Sequence, residues 1–251
     1  MTVKDFFLGY LWRMQTIVID AGNTNIKIGR FENEQLTHVQ RFDYSEIDSL
    51  KELIKEANDT SMAISSVVSA EISSELLVLK SGLIISPNIS LPIQNTYESP
   101  ATLGMDRLCN AVAVAKRMNS NYGVSIDIGT CIKFDIVHKN QGYLGGSIAP
   151  GIDLRYKSLN AFTEKLPLLS NKSALPIVGK DTKTSMQSGV INGMRAEIEG
   201  LVSYYESQFQ DLTFFMTGGD ANFFDIQGKN DIFAVENLTL YGLFEIYKHN
   251  A

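Results

Sequence analysis

Two apolar runs in this chain end alike, and that repetition limits the possible folds more than any other feature. "TIVID" closes on Asp20 and continues Ala21-Gly22, and "YGVSIDIG" closes on Asp127-Ile128-Gly129. Alternation of β type resumes after each turn, as "NIKIGRF" and as "CIKFDIV". A carboxylate at the end of a buried strand costs free energy unless it is paired or put to use. Aspartate suits a turn, so a single such site has a plain structural explanation. Two of them, each followed by glycine and threonine, point to a duplicated supersecondary unit and to two similar α/β domains in tandem. The division falls near Asn119–Tyr122, after a helical segment. It separates a first domain at 14–120 from a second at 121–251.

The intervening pattern is that of an α/β chain. "LTHVQRF" is strand-like, and "SEIDSLKELIKEA" carries Ile47, Leu50, Leu53 and Ile54 at helical spacing with Ser45 as an N-cap. "SMAISSVVS" and "GLIISP" predict buried strands, with a short helix between them ending near Gly82. "DRLCNAVAVAKRM" predicts a helix with a basic end. The glycines of "GYLGGSIAPGIDLRYKSLNAF" predict a turn with close backbone approach before a helix. A long amphipathic helix follows, with Met186, Val190, Met194, Ile198, Leu201, Val202, Tyr205 and Phe209 as its core stripe. "LTFFMTGGDA" predicts a strand entering a double-glycine turn, and "LTLYGLFEIYK" a last helix.

Composition removes several classes of function. The 251 residues are 44% hydrophobic, enough for a substantial core, and the formal charge of −6 disfavours a generic nucleic-acid binder. Two cysteines, Cys109 and Cys131, are too few for a disulfide scaffold or a structural zinc site. Reduced thiols and a cytoplasmic location are expected. The scattered His38, His138 and His249 suggest no metal or catalytic cluster. No apolar run has the length of a membrane span. "MTVKDFFLGYLWR" lacks the cleavage site of a signal peptide, and Met14 directly precedes the first strand. Residues 1–13 therefore read as an extension ahead of Met14, the expected natural start.

A pair of such loops can hold a polyphosphate. Glycines admit backbone N–H groups to phosphate oxygens, Thr and Asn add donors, and carboxylates hold Mg²⁺ through water. Lys27 adds a positive charge near the first loop. The familiar nucleotide motifs are missing: there is no G-x-x-x-x-G-K-[ST] and no G-x-G-x-x-G after a strand. There is also no H-E-x-x-H and no G-x-S-x-G.

The duplicated Asp-x-Gly turns resemble the phosphate loops of the actin, hexokinase and Hsp70 superfamily. Within it the chain resembles type III pantothenate kinases over nearly all residues from Met14. "DAGNTNIKIGRF", "TYESPATLGMDRLCNAV", "SIDIGTCIKFDIV" and "GGSIAPGIDLRYKSL" carry the likeness, supported by "GKDTKTSMQSG" and "TGGDA". A lone D-x-G-x-T is weakly specific. Followed in order by L-G-x-D-R, D-x-G-T and G-G-x-I-x-P-G, it is strong.

The resemblance implies two tandem ribonuclease-H-like domains with a nucleotide cleft between them, and a homodimer. It implies ATP-dependent phosphorylation of pantothenate at its primary hydroxyl, the first step towards coenzyme A. Asp106 is then the base that takes the hydroxyl proton, although an aspartate before a helix also suits an N-cap. Arg107 binds substrate with its donor fork; its plain alternative is a solvated helix-surface arginine. Tyr97 and Gly104 join the pantothenate site. Thr182 resembles a substrate contact donated by the partner subunit, its alternative being a helix-start residue. Asp20, Gly22, Asn23, Thr24 and Lys27 form the first phosphate loop, and Asp127, Gly129 and Thr130 the second. Gly218 and Gly219 lie on the adenosine side. Asp20 and Asp127 are the metal-binding positions, for Mg²⁺ and for a monovalent cation, K⁺ or NH₄⁺, which the second aspartate helps to hold. The chain departs from the pattern at Cys131 and Lys133, where many relatives carry Ala and Thr. Lys133 is expected on the exposed strand face. Competing readings are a non-catalytic regulator or accessory factor on the same fold, and a phosphatase acting on polyphosphate or nucleotides.

Overall fold

The computed structural model describes residues 15–57, 61–66, 74–76, 82–170, 176–224 and 232–251. The proposed extension at 1–13 and most of the short helix expected before Gly82 lie outside them.

The first apolar run forms β1 (Gln15–Ala21), buried from Thr16 to Ile19. The turn after Asp20 reverses the chain into antiparallel β2 (Ile26–Glu32), and a second hairpin gives β3 (Gln35–Phe42). Asp43 and Glu46 form a capping box ahead of α1 (Ile47–Glu56). Ser45, the expected cap, instead lies inside a 3₁₀ turn, because Asp43 and Glu46 have the spacing for reciprocal bonding. Parallel β4 (Ser61–Ser66) and β5 (Leu83–Ile85) complete a sheet of order β3-β2-β1-β4-β5. The next long helix, α2, spans Met105–Arg117.

The second apolar run repeats this plan. β6 (Tyr122–Ile128) turns into antiparallel β7 (Cys131–His138), followed by β8 (Gly142–Pro150) and α3 (Ile152–Ala161). α4 (Thr182–Gln208) leads into β9 (Leu212–Thr217), β10 (Ile232–Ala234) and α5 (Leu238–Asn250). The second sheet has the order β10-β9-β6-β7-β8. Strand by strand it matches the first, with two antiparallel neighbours on one side of the aspartate strand and two parallel ones on the other.

β8 is a departure from the sequence reading, which placed a turn there. Its glycines hide the strand signal, since glycine packs no side chain and weakens a strand. They are needed because the backbones come close. A Cβ on Gly146 would stand 1.8 Å from the Phe134 carbonyl oxygen. β10 also went unrecognised in the sequence, being only three residues long.

Contacts divide the chain into two units. One comprises the residues up to Pro92, Glu98–Ala113 and Leu238–Ala251; the other comprises Ile93–Tyr97 and Val114–Asn237. This differs from a division into 14–120 and 121–251. The terminal helix α5 packs on β1, β4 and β5, and the partition falls within α2. Phe244 of α5 stacks on Phe31 of β2 at 4.0 Å between ring centroids. Each unit has its own apolar core. One is built on Ile17, Ile19, Ile26, Ile28, Leu50 and Ile64, the other on Val124, Ile126, Phe134, Met194, Ile198 and Phe214.

Candidate active site

In the first unit, β1 is buried without interruption from Thr16 to Ile19, and Asp20 is half-buried near its end. Gly22 N–H donates to the Asn25 carbonyl at 3.1 Å and closes the turn, which exposes Asn23 and Thr24. Lys27 stands directly across from Asp20 in the β1–β2 register. The Tyr44 hydroxyl donates to the Gly22 carbonyl and braces the loop from behind. Burial, and next the negative charge of Asp20, raise the Tyr44 pKa above its ordinary value. Tyr44 carried no sequence signal, because its contact with the loop spans 22 residues.

Helix α2 supplies the second cluster of this unit. The Gly104 carbonyl accepts the first helical bond from Leu108 N–H at 3.2 Å. Asp106 is thus the second residue of the helix rather than its N-cap, and its carboxylate accepts from Arg107 N–H at 2.9 Å. A carboxylate in the first turn is favoured by the helix dipole. A Cβ on Gly104 would stand 2.6 Å from Asp106 Oδ1, so the glycine leaves that carboxylate room. Arg107 is 4% exposed, which removes its reading as a solvated surface arginine.

Cys109 also lies on α2. Its thiol is fully buried, and its pKa is pushed well up by desolvation, then by the charges of Asp20 and Asp106. The first loop and the start of α2 lie in the same unit.

In the second unit, Asp127 lies at the end of β6 and is 8% exposed. Three backbone segments meet beside it. Gly129 N–H donates to the Cys131 carbonyl, and Gly151 N–H donates to the Thr130 carbonyl, both at 3.0 Å. Asp220 N–H donates to the Ile128 carbonyl at 2.9 Å. Gly218 has φ +104°, and a Cβ there would stand 2.2 Å from the Ile128 carbonyl oxygen. A side chain is excluded at this position both by backbone conformation and by space. Gly219 beside it is exposed, with nothing within 4 Å of where a Cβ would stand. Gly151 shows the close backbone approach expected of its segment, a Cβ there standing 2.0 Å from the Gly129 carbonyl oxygen, whereas the backbone contact of Asp220 had no sequence signal.

Lys133 is not on an exposed face. Its ammonium lies 2.7 Å from Asp127 Oδ2, with side-chain exposures of 15% and 12% for the two residues. The antiparallel register sets Lys133 directly opposite Asp127, so both side chains leave the sheet on one side.

Tyr97 also belongs to this unit. The segment before it docks on Tyr143, whose carbonyl accepts from Thr96 N–H at 3.1 Å and from its hydroxyl at 2.7 Å. The Tyr97 ring lies over Gly145, 3.8 Å from where a Cβ would be. The Tyr143 hydroxyl donates to buried Asp135 at 2.7 Å. Thr182 is the exposed first residue of α4, behind Asp181, which caps the helix by accepting from Thr184 N–H at 2.8 Å. These bonds lower the Asp181 pKa. A cleft of about 460 Å³ between α3 and α4 is lined by Arg155, Leu159, Met186 and Val190, and none of the expected site residues borders it.

The predicted residues therefore fall into two groups. Asp20, Gly22, Asn23, Thr24, Lys27, Gly104, Asp106 and Arg107 lie in the first unit. Tyr97, Asp127, Gly129, Thr130, Thr182, Gly218 and Gly219 lie in the second. Among the described residues no group of three or more His, Cys, Asp or Glu side chains could enclose a metal. A single carboxylate at a phosphate loop still suits Mg²⁺, which keeps several waters and takes its other ligands from phosphate.

A solved glucokinase of the ROK family from Streptomyces griseus, in complex with glucose and AMPPNP, has the same fold. Its TM-score is 0.54 at 10% identity, over 94% of this chain and 99% of that one. A chain from Campylobacter jejuni assigned to the Baf family of transcriptional activators aligns with TM-score 0.61 at 22% identity, over 93% and 98%. In sequence, the type III pantothenate kinase of Christiangramia forsetii is 37% identical over 93% of this chain and 98% of its own length. That of Cytophaga hutchinsonii is 36% identical over 93% and 99%. The family model for type III pantothenate kinase matches residues 16–204, which include both Asp-x-Gly turns and the start of α2. The chain belongs to the type III pantothenate kinase family.

Proposed function

We infer that this chain transfers the γ-phosphoryl group of ATP to the primary hydroxyl of pantothenate, giving 4'-phosphopantothenate in the first step of coenzyme A biosynthesis. ATP and a divalent metal follow from membership of a kinase family. The observation that carries the reading is the family match over residues 16–204, together with Asp20 near the end of β1 and Asp106 in the first turn of α2. Both carboxylates belong to one unit.

Phosphoryl transfer asks mainly for positioning and charge stabilisation. Bound Mg²⁺ supplies neutralisation of the phosphate oxygens. Asp20 orients that charge at the end of β1, while Asn23, Thr24 and the backbone of Gly22 offer donors. Asp106 accepts the proton of the pantothenate hydroxyl. It lies in the first turn of α2, where the helix dipole favours a negative charge. Arg107 and Gly104 serve pantothenate, with the guanidinium on the carboxylate or a carbonyl of the substrate, and Tyr97 is a further substrate position. Gly129 and Thr130 hold phosphate oxygens, and Gly218 and Gly219 leave room for a flat base. The K⁺ or NH₄⁺ implied at Asp127 does not fit the groups found there, because the Lys133 ammonium already occupies one side of that carboxylate.

The chain acts as a homodimer in the cytoplasm, with Thr182 reaching the substrate site of the partner subunit. Two features of the second unit support the dimer. Gly189, Gly193 and Gly200 lie on one side of α4 with open space beyond them. Phe162, Leu168, Ile177 and Val178 are exposed, at 60–88%. Among the described residues no helix is long and apolar enough to cross a membrane.

ADP release from Mg·ATP, measured with and without pantothenate, tests the activity. Strong release only with pantothenate is expected. Hydrolysis indifferent to pantothenate would favour a phosphatase, and no turnover by folded protein would favour a regulator on the same fold. Sedimentation velocity tests the dimer, and a monomer at micromolar concentration would remove the role of Thr182.

A further inference from the structure

Four side chains stand abreast across the second sheet. Thr217, Asp127, Lys133 and Ile148 are successive cross-strand partners on β9, β6, β7 and β8. They share one side of the sheet. Thr217 is buried, while Ile148 is exposed at the outer end of the row. Lys133 reaches inward along this row and sets its ammonium 2.7 Å from Asp127 Oδ2. With both side chains largely withdrawn from water, the pair is screened far less than a surface ion pair.

The first loop has the same layout, since Lys27 stands directly across from Asp20. A lysine on the returning strand of each hairpin thus opposes the aspartate that ends the strand before it. In the second loop the ammonium offsets the charge of the carboxylate from within the chain. A monovalent cation at Asp127 would have to share one carboxylate with an ammonium at hydrogen-bonding distance, and the two like charges repel.

We propose that the Lys133 ammonium is the built-in counter-cation of the second phosphate loop, and that it makes turnover independent of K⁺ and NH₄⁺. The proposal rests on the kinase reading above. Lys133 is on this account a positioning residue. It offsets the charge of Asp127 and orients it, so that the loop meets a polyphosphate without a net negative charge.

The test uses the full chain in tetramethylammonium buffer free of K⁺, Na⁺ and NH₄⁺, with KCl or NH₄Cl exchanged in at constant ionic strength. Pantothenate-dependent ADP release by the unaltered protein should change by less than about threefold. Lys133→Thr should lose about tenfold or more without K⁺ and recover most of it when K⁺ or NH₄⁺ is supplied. Affinity for Mg·ATP by calorimetry should follow the same pattern, independent of K⁺ in the unaltered protein and raised by K⁺ in the variant.

Stimulation of the unaltered protein by K⁺ of about threefold or more would overturn the proposal, whatever the variant does. A loss in Lys133→Thr that neither cation rescues would also overturn it and make Lys133 a direct phosphate ligand. If Lys133→Thr does not fold, Lys133→Gln takes its place. If no condition gives pantothenate-dependent turnover, the kinase reading fails separately, and the calorimetry alone decides the role of Lys133.

Discussion

At the scale of single residues, the site separates charge that must be ionised from groups that must not be. Asp106 sits in the first turn of α2, held by Arg107 N–H, in a position to accept a proton. Asp106→Asn should lower kcat by about 10²–10⁴-fold and leave Mg·ATP affinity nearly unchanged. Steady-state ADP release and calorimetry read the two quantities, and near-normal turnover would remove Asp106 as the base. Asp20→Asn should instead weaken the use of Mg·ATP, seen as a raised KM for the nucleotide. Cys109 is fully buried and its thiol is held protonated by its surroundings, whereas Cys131 is partly exposed. A thiol reagent should modify Cys131 in the native protein and reach Cys109 only in denaturant. Rapid native modification at Cys109, located by peptide mass, would contradict its burial.

Among elements, α5 and α2 come close at one glycine. A Cβ on Gly242 would fall 1.7 Å from the Cys109 carbonyl oxygen, and Thr239 donates to buried Asn110 at 2.9 Å one turn away. The missing side chain lets α5 lie against the backbone of the helix that carries Asp106. Gly242→Ala should cost about 1–3 kcal/mol by overpacking. For a chain of this size that lowers Tm by roughly 2–10 °C in a thermal melt. An unchanged Tm would mean that the two helices can separate freely. This contact was not legible in the sequence, where "LTLYGLFEIYK" reads as a helix without a partner. The paired hairpins, by contrast, were legible, because a half-buried strand must alternate and a two-sided strand must be apolar throughout. β8 shows where such reading stops. Its glycines serve backbone approach to β7, and a residue chosen for space between chains leaves no periodic trace.

For the whole molecule, burial of neutral acids sets the response to alkali. Cys109 and Tyr44 both have folded pKa values raised above their unfolded ones, in each case chiefly by burial. The stability they contribute is full below the unfolded values, about 8.5 for a thiol and 10 for a phenol. It is lost as pH rises from there through the higher folded values. Tm should therefore decline from about pH 8.5 upward, and Cys109→Ala should flatten the first part of that decline. A decline of equal slope in the variant would assign it to other groups. The duplication and the family were readable from the chain alone. They depend on local rules: an apolar strand, a carboxylate at its end, a glycine in the turn, and a fixed order of short motifs. Three things were decided only by tertiary structure: the return of α5 to the first sheet, the burial of Arg107, and the closure of Lys133 on Asp127. Each depends on which segments lie side by side in space. Cross-strand register places Lys133 against a carboxylate, whereas sequence spacing alone left it free to face water.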